Sequence, residues 1–193
     1  MEGVLTPEIW IAVAERTGLA ELRRTTRDEP DYDKLMRGRL EILDRHGITL
    51  SRIQGVIGSL APLPGAVAFL DTLRALVPVI IVSDTFEQFA QPLLRQLGWP
   101  TLFCNRLIVE QDRITGYQLR VPDQKRRSAE ALQSIHYQVV AAGDSFNDTS
   151  MLAQADHGIL FRAPEAVVRQ FPQFPAVADH AALLSAIQAR LQA

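Results

Sequence analysis

A single cysteine, Cys104, occurs in the 193 residues, which excludes an internal disulfide framework and a four-thiolate zinc site. No apolar run approaches the roughly eighteen residues needed to cross a bilayer, and no charged-then-apolar signal segment opens the chain. A surplus of basic charge is missing too. Twenty Lys and Arg against 22 Asp and Glu leave a formal net charge of −2, without the footprint of a dedicated nucleic-acid binder. With 47% hydrophobic and 22% charged residues the balance is globular rather than disordered. The length suits one compact domain with a small appendage. The expectation is a cytoplasmic protein that binds neither membrane nor nucleic acid. Lysine is nearly absent, Lys34 and Lys125 being the only two; arginine-favouring codons account for the imbalance, but each lysine then asks for a reason.

What is present reads as helices first and strands later. Thr6-Pro7-Glu8 has the chemistry of a helix start, and the apolar series from Ile9 runs to Gly18. A second helix fits Tyr32 to Arg45 with Gly47 as its stop, and Ser51 could cap a short third one through Ile57. After Pro62-Leu63-Pro64-Gly65 the period changes. A helix over Ala66 to Leu76 leads into Val79-Ile80-Ile81-Val82, a β-branched run typical of a strand buried on both faces. A helix from Phe86 to Leu97, a short strand near Leu102-Phe103-Cys104 and a hairpin around Gln111-Asp112-Arg113 follow. A helix over Asp123 to Ile135, strands at Gln138–Ala142 and Gly158–Phe161, and a closing helix over Ala181–Leu191 complete the pattern. The fold expected is α/β, a Rossmann-like, mostly parallel sheet (residues 1–5 and 62–193) with a small helical cap at 6–61.

Ligands of open parallel sheets bind beyond the carboxyl ends of the strands. Gly143-Asp144-x-x-Asn147-Asp148 follows one strand, and two carboxylates four apart can face one cavity as hard oxygen ligands for Mg²⁺. The same residues also suit a helix N-terminus. Ser83-Asp84-Thr85 follows another strand and is expected to open the next helix, as an anion site or as a plain cap. Lys125 begins a helix, where a cation opposes the dipole.

Taken together and in this order, these segments resemble the haloacid dehalogenase superfamily, and within it the phosphoserine phosphatase branch, closest to the bifunctional phosphoserine phosphatase/homoserine phosphotransferases. Glu2-Gly3-Val4-Leu5, Pro7-Glu8-Ile9-Trp10, Ser83-Asp84-Thr85-Phe86, Gln91-Pro92-Leu93, Gly116–Arg120, Ala141–Ser145, Gly158–Phe161 and Phe171–Pro175 carry the likeness. The resemblance implies release of phosphate from phosphoserine through a phosphoaspartyl intermediate, with water or homoserine as acceptor. It implies Mg²⁺ held by Glu2, through its backbone carbonyl, by Asp144 and by Asp148. Glu2 would be the proton-transfer acid, Ser83 and Lys125 would hold the phosphoryl group, and Asn147 would reach substrate oxygens. Glu8, within a one-residue offset, and Arg39 are similar in placement to the branch's ammonium and carboxylate partners, with Arg37 in reserve. Asp84-Thr85 departs from the small residues usual there and is a candidate seat for an alcohol acceptor.

The nucleophilic aspartate of the family stands two residues before Glu2, and so falls one position before Met1, together with the central strand that leads to it. The expectation is that this polypeptide alone is inactive and that the gene starts upstream. A non-catalytic phospho-ligand binder and a phosphatase for another small phosphate monoester are the alternatives. His46, His136, His157 and His180 share no metal spacing and read as surface or loop residues; Trp10 and Trp99 read as packing, and Cys104 as an inert buried thiol. Phe171–Pro175 reads as a rigid turn that could pack at a subunit contact, leaving a homodimer open.

Overall fold

The computed structural model describes residues 1–25, 28–29 and 31–191. Helix α1 (Ile9–Thr17) ends at Gly18, whose φ of 73° closes it in the left-handed region. A 3₁₀ turn (Ala20–Arg23), α2 (Tyr32–Arg45) and α3 (Leu50–Gly58) follow. The start of α1 differs from the sequence expectation. Thr6 does not cap it: the Ile9 N–H donates to the Glu2 carboxylate at 2.9 Å, and Thr6 Oγ1 is buried without a hydrogen-bond partner among the described residues. Thr49, not Ser51, caps α3, because Ser51 is engaged with Asp112.

Beyond Gly65 come α4 (Ala66–Arg74), β1 (Ile80–Phe86), α5 (Glu87–Gln96), β2 (Thr101–Glu110), β3 (Arg113–Gln118) and α6 (Gln124–Ser134). Then follow β4 (Val140–Gly143), α7 (Thr149–Gln154), β5 (His157–Phe161), α8 (Glu165–Gln170), β6 (Ala176–Val177) and α9 (His180–Leu191). β1 runs parallel to β2, which turns through Gln111 and Asp112, both at positive φ, into antiparallel β3. β4, β5 and β6 are parallel. The expected α/β architecture is present, divided into two three-stranded sheets. β1 pairs only with β2 and β4 only with β5 among the described residues.

One apolar cluster joins the two sheets: Ile81 from β1 packs with Ile159 and Phe161 from β5, with Leu5 and with α4 and α9. The helices of the 6–61 region share a second cluster with Phe86, Phe89 and Leu93, so α1 to α3 rest on α5 and the hairpin. Two expectations are corrected by burial. His180 is not a surface residue but 6% exposed, with Nε2 2.8 Å from the Val4 carbonyl oxygen and Nδ1 3.2 Å from that of Pro64. Trp99 does not pack in a core; it is 61% exposed. No described helix is long and apolar enough to cross a membrane.

Candidate active site

A cavity of about 550 Å³ lies at the carboxyl ends of β1 and β4, roofed by α1 and α2. Glu2, Glu8, Arg39, Ser83, Asp84, Thr85, Lys125, Asp144, Asn147 and Asp148 all line it, so the structure gathers these candidates from five separate stretches of chain. Arg37 is absent from it and pairs with Asp33 on the outer face of α2.

Ser83, Asp84 and Thr85 reach the cavity differently from expectation. They lie within β1, and the helix begins only after Phe86, so they are not a helix cap. Ser83 Oγ accepts the Thr85 N–H at 3.3 Å, which leaves its own hydrogen free to donate into the cavity.

After β4 the chain bends through Gly143, where a β-carbon would sit 2.3 Å from that of Asp148. Asp148 Oδ2 then accepts the N–H groups of Asp144 and Ser145 at 2.9 and 3.0 Å and the Ser145 hydroxyl at 3.1 Å, a capping box that shapes the loop. Its Oδ1 meets Lys125 Nζ at 3.0 Å, and the same ammonium reaches Asp84 Oδ2 at 2.9 Å. Burial opposes both charges, yet the two carboxylates hold Lys125 above its ordinary value, and Lys125 holds Asp148 below the usual carboxylate range. Lys125 is thus fixed across the strand ends.

Asp144 is in the opposite condition. Burial first, and then the charge of Asp148, push its carboxyl up to about 6. Lys125 and the Met1 α-amino group offset this only in part. No three His, Cys, Asp or Glu side chains form a metal cluster among the described residues, so Mg²⁺ here would depend on backbone oxygen, water and phosphate besides Asp144. The Gly3 backbone is packed directly on the Asp144 carboxylate. The donor set fits Mg²⁺.

Glu2 is raised to about 7, by burial above all, opposed by the Ile9 N–H bond and reinforced by the charge of Glu8. A carboxyl near neutrality can both give and take a proton. Arg39, expected on α2, is not a solvated helix charge. It is 7% exposed, its guanidinium carbon lies 4.4 Å from the centre of the Trp10 ring, and burial draws it down to about 10. One terminal nitrogen donates to the Arg24 carbonyl oxygen at 2.6 Å, whereas Nε is buried without a partner among the described residues.

Residues 3–156 match the family described as haloacid dehalogenase-like hydrolase. The chain belongs to this family. It is 61% identical, over 92% of its length, to a protein named phosphoserine phosphatase in Pseudomonas syringae pv. tomato, of which it covers 75%. The identity is the same to phosphoserine phosphatase ThrH of Pseudomonas aeruginosa, of which it covers 87%. Among solved structures, a substrate-bound phosphoserine phosphatase complex superposes with a TM-score of 0.76 at 22% identity, over 93% of this chain and 90% of that one. The T. onnurineus phosphoserine phosphatase superposes at 0.65 with 26% identity, over 96% and 90%. The hydrolase fold places the cavity where its open sheets bind ligands.

Sequence reasoning missed Tyr32, whose hydroxyl donates to the Asp84 carbonyl oxygen at 3.3 Å and so ties α2 to β1. It also missed Gln124, whose amide nitrogen donates to the Ser83 carbonyl oxygen at 2.8 Å. Only its place beside Lys125 on the first turn of α6 marked it.

Proposed function

We propose that this protein is a Mg²⁺-dependent phosphatase of O-phospho-L-serine that works through a phosphoaspartyl intermediate, with homoserine as a second acceptor of the phosphoryl group. The observation that carries this reading is the buried, under-bonded Arg39 guanidinium in one cavity with Ser83 and Lys125. A guanidinium whose terminal nitrogens reach Met36 Sδ and the Arg24 carbonyl oxygen, with Nε unpaired among the described residues, suits a carboxylate, and a free hydroxyl beside a lysine suits a phosphoryl group. Glu8 lines the same cavity as a partner for the substrate ammonium, and the 6–61 helices act as the cap that selects the substrate.

Ser83 and Lys125 would hold the transferring group, while Glu2 protonates the leaving serine oxygen and later takes a proton from the attacking water. Asp144 and the Glu2 carbonyl would hold the metal, with Asp148 steadying the loop. When bound, Mg²⁺ supplies neutralisation of charge on the phosphoryl oxygens. The carboxylate that attacks phosphorus is assigned by the family pattern to the position before Met1. The Met1 α-amino group lies buried at this point, lowered from its ordinary value by burial and by the charge of Lys125. Met1, Val82 of β1 and Ala142 of β4 line the same cavity.

The test is release of phosphate from O-phospho-L-serine by the chain extended with a strand-forming segment that places Asp directly before Met1. Turnover with Mg²⁺, slower on phosphoethanolamine, which lacks the carboxylate, supports the reading. A folded extended chain that releases no phosphate, or treats both compounds alike, overturns it. Formation of phosphohomoserine on adding homoserine decides the acceptor.

A further inference from the structure

Two segments flank the helices α1 to α3, residues 1–8 before them and 59–65 after them. Leu5 and Leu63 seat both segments on the apolar cluster around Ile81, and the Leu63 N–H donates to the Leu5 carbonyl oxygen at 2.9 Å. His180, the first residue of α9, stands against both. Its Nε2 lies 2.8 Å from the Val4 carbonyl oxygen and its Nδ1 3.2 Å from that of Pro64. Nothing else among the described residues donates to either oxygen. Gly65 turns the second segment at a φ of 84°, where a β-carbon would come within 3.4 Å of Nδ1. The imidazole is buried between the rings of Phe161 and Phe69, tilted 33° and 34° to them. One ring thus spans the two crossings that set how α1 to α3 sit on the core.

Both oxygens belong to carbonyls, which only accept, and a neutral imidazole carries a single N–H. The neutral ring donates to Val4 or to Pro64 and turns a lone pair on the other; the imidazolium donates to both. We infer that His180 is a positioning residue that acts as a proton-dependent clasp. Protonated, it holds both flanking segments and fixes α1 to α3 over the cavity; neutral, it lets one segment go. Histidine is the side chain whose charge ordinarily changes between about pH 5 and 8. Few other charges surround it. On its own helix Asp179 is committed to the Ala182 N–H, at 2.8 Å. At the end of β5 the Arg162 guanidinium lies 5.0 Å from the centre of the Phe161 ring, with Nε on the Ala178 carbonyl oxygen. α4 offers no charge before Asp71, which pairs with Arg74, and residues 59–65 carry none. In the first segment the Glu2 carboxylate takes the Ile9 N–H. Arg162 and the N-terminus of α9 work against a cation here, while two carbonyl oxygens and two ring faces work for it. Arg39 lines the cavity from α2, so the clasp steadies the partner of the substrate carboxylate. That consequence rests on the proposed function; the clasp does not.

The test follows the ring nitrogen signals of His180 in the isotope-labelled protein between about pH 5 and 8, with the backbone amides of Leu5, Leu63 and Gly65. Both ring nitrogens should be protonated at the acid end, and one should lose its proton within the range. The Leu63 and Gly65 amides should shift with the same midpoint. Hydrogen exchange at Leu63, corrected for its intrinsic pH dependence, should quicken about fivefold as the proton leaves, the factor for one lost hydrogen bond. Glu2 is itself raised to about 7 in the first segment, so the same response is read again in Glu2→Gln, where it should persist. In His180→Gln, whose side chain does not titrate, the response at Leu63 should vanish. The ring signals of the parent need no variant, so the test stands if His180→Gln does not fold. A ring that keeps one charge state throughout, or one that titrates while exchange at Leu63 is unmoved, overturns the inference. No substrate is present, so failure of the phosphatase reading and failure of the clasp are distinguishable.

Discussion

A β-carbon on Gly3 would lie 2.2 Å from Oδ2 of Asp144, a separation that real atoms do not adopt. The obstacle is a short carboxyl group whose own backbone N–H is held by Asp148. Gly3 also has a φ of 75°, which L-residues adopt at a cost of about 1–2 kcal/mol. Gly3→Ala should therefore lower stability by at least that amount and displace Asp144. Chemical denaturation measures the first effect and loss of Mg²⁺-induced stabilisation the second. An alanine variant as stable and as responsive to Mg²⁺ as the parent would contradict the packing.

The raised Asp144 carboxyl makes a prediction of opposite sign. Burial and the neighbouring charge of Asp148 disfavour its ionised form, so the metal-free protein carries an electrostatic penalty there. Asp144→Asn removes that charge at nearly constant volume. Without metal the variant should melt higher than the parent; with millimolar Mg²⁺ the order should reverse, since only the parent gains stability by linkage. Thermal melts with EDTA and with Mg²⁺ decide it, and equal Mg²⁺ responses would remove Asp144 from the metal site.

Helix α2 was legible from end to end, because Leu35, Met36, Leu40 and Leu43 keep helical spacing and Gly47 follows its end; its cap, Asp31 on the Lys34 N–H, emerged only in the structure. The end of β1 was not. Ser83-Asp84-Thr85 has the composition of a helix cap, but the strand continues because Gln124 and Asn105 take up the carbonyl oxygens of Ser83 and Asp84. Those partners lie 41 and 21 residues away, beyond any local window. β2 read as two pieces for a related reason: Asn105-Arg106 interrupts the apolar run, although Asn105 is 2% exposed and hydrogen-bonded through both its amide nitrogen and its oxygen. α8 has no buried residue to give it a pattern, and β6 has only two residues. The candidate site was legible in its residue types, through the family resemblance. The state of each group was not, since the burial of Arg39 against Trp10 arises only when distant segments meet.

His180 lies between two segments distant in sequence, with the Val4 and Pro64 carbonyl oxygens 2.8 and 3.2 Å from its ring nitrogens and the Phe161 and Phe69 ring centroids 4.8 and 5.2 Å away. His180→Phe keeps an aromatic ring and removes the polar contacts. The Val4 carbonyl oxygen, the nearer of the two at 2.8 Å, loses its donor at a cost of about 1–3 kcal/mol, so a clear fall in urea midpoint is expected. An unchanged midpoint would mean that water replaces the imidazole at both oxygens.

Cys104 is pushed up to about 11 by burial first and then by the charge of Glu87. The fold favours the neutral thiol, so the contribution is intact below about pH 9 and is lost as pH rises toward 11. Cys104→Ala should flatten that alkaline decline in stability. The native thiol should also react with a disulfide reagent at pH 8 far more slowly than the unfolded chain. Rapid labelling of the folded protein would contradict its burial.

Arg39 provides the sharpest test of substrate choice, because the 193-residue chain can be examined by binding alone. Lysine keeps the charge but has no planar fork to rest on Trp10 while presenting an edge to a carboxylate. Arg39→Lys should weaken phosphoserine binding by about 1.5–3 kcal/mol, the range for a hydrogen bond to a charged group, and leave phosphoethanolamine nearly unaffected. Arg37→Lys, two residues away on the other face of α2 and paired with Asp33 outside the cavity, should change neither. Calorimetric titration of both ligands into the three proteins separates the outcomes. If Arg39→Lys weakened both ligands alike, the guanidinium would be serving the phosphoryl group instead, and substrate choice would have to be sought at Glu8.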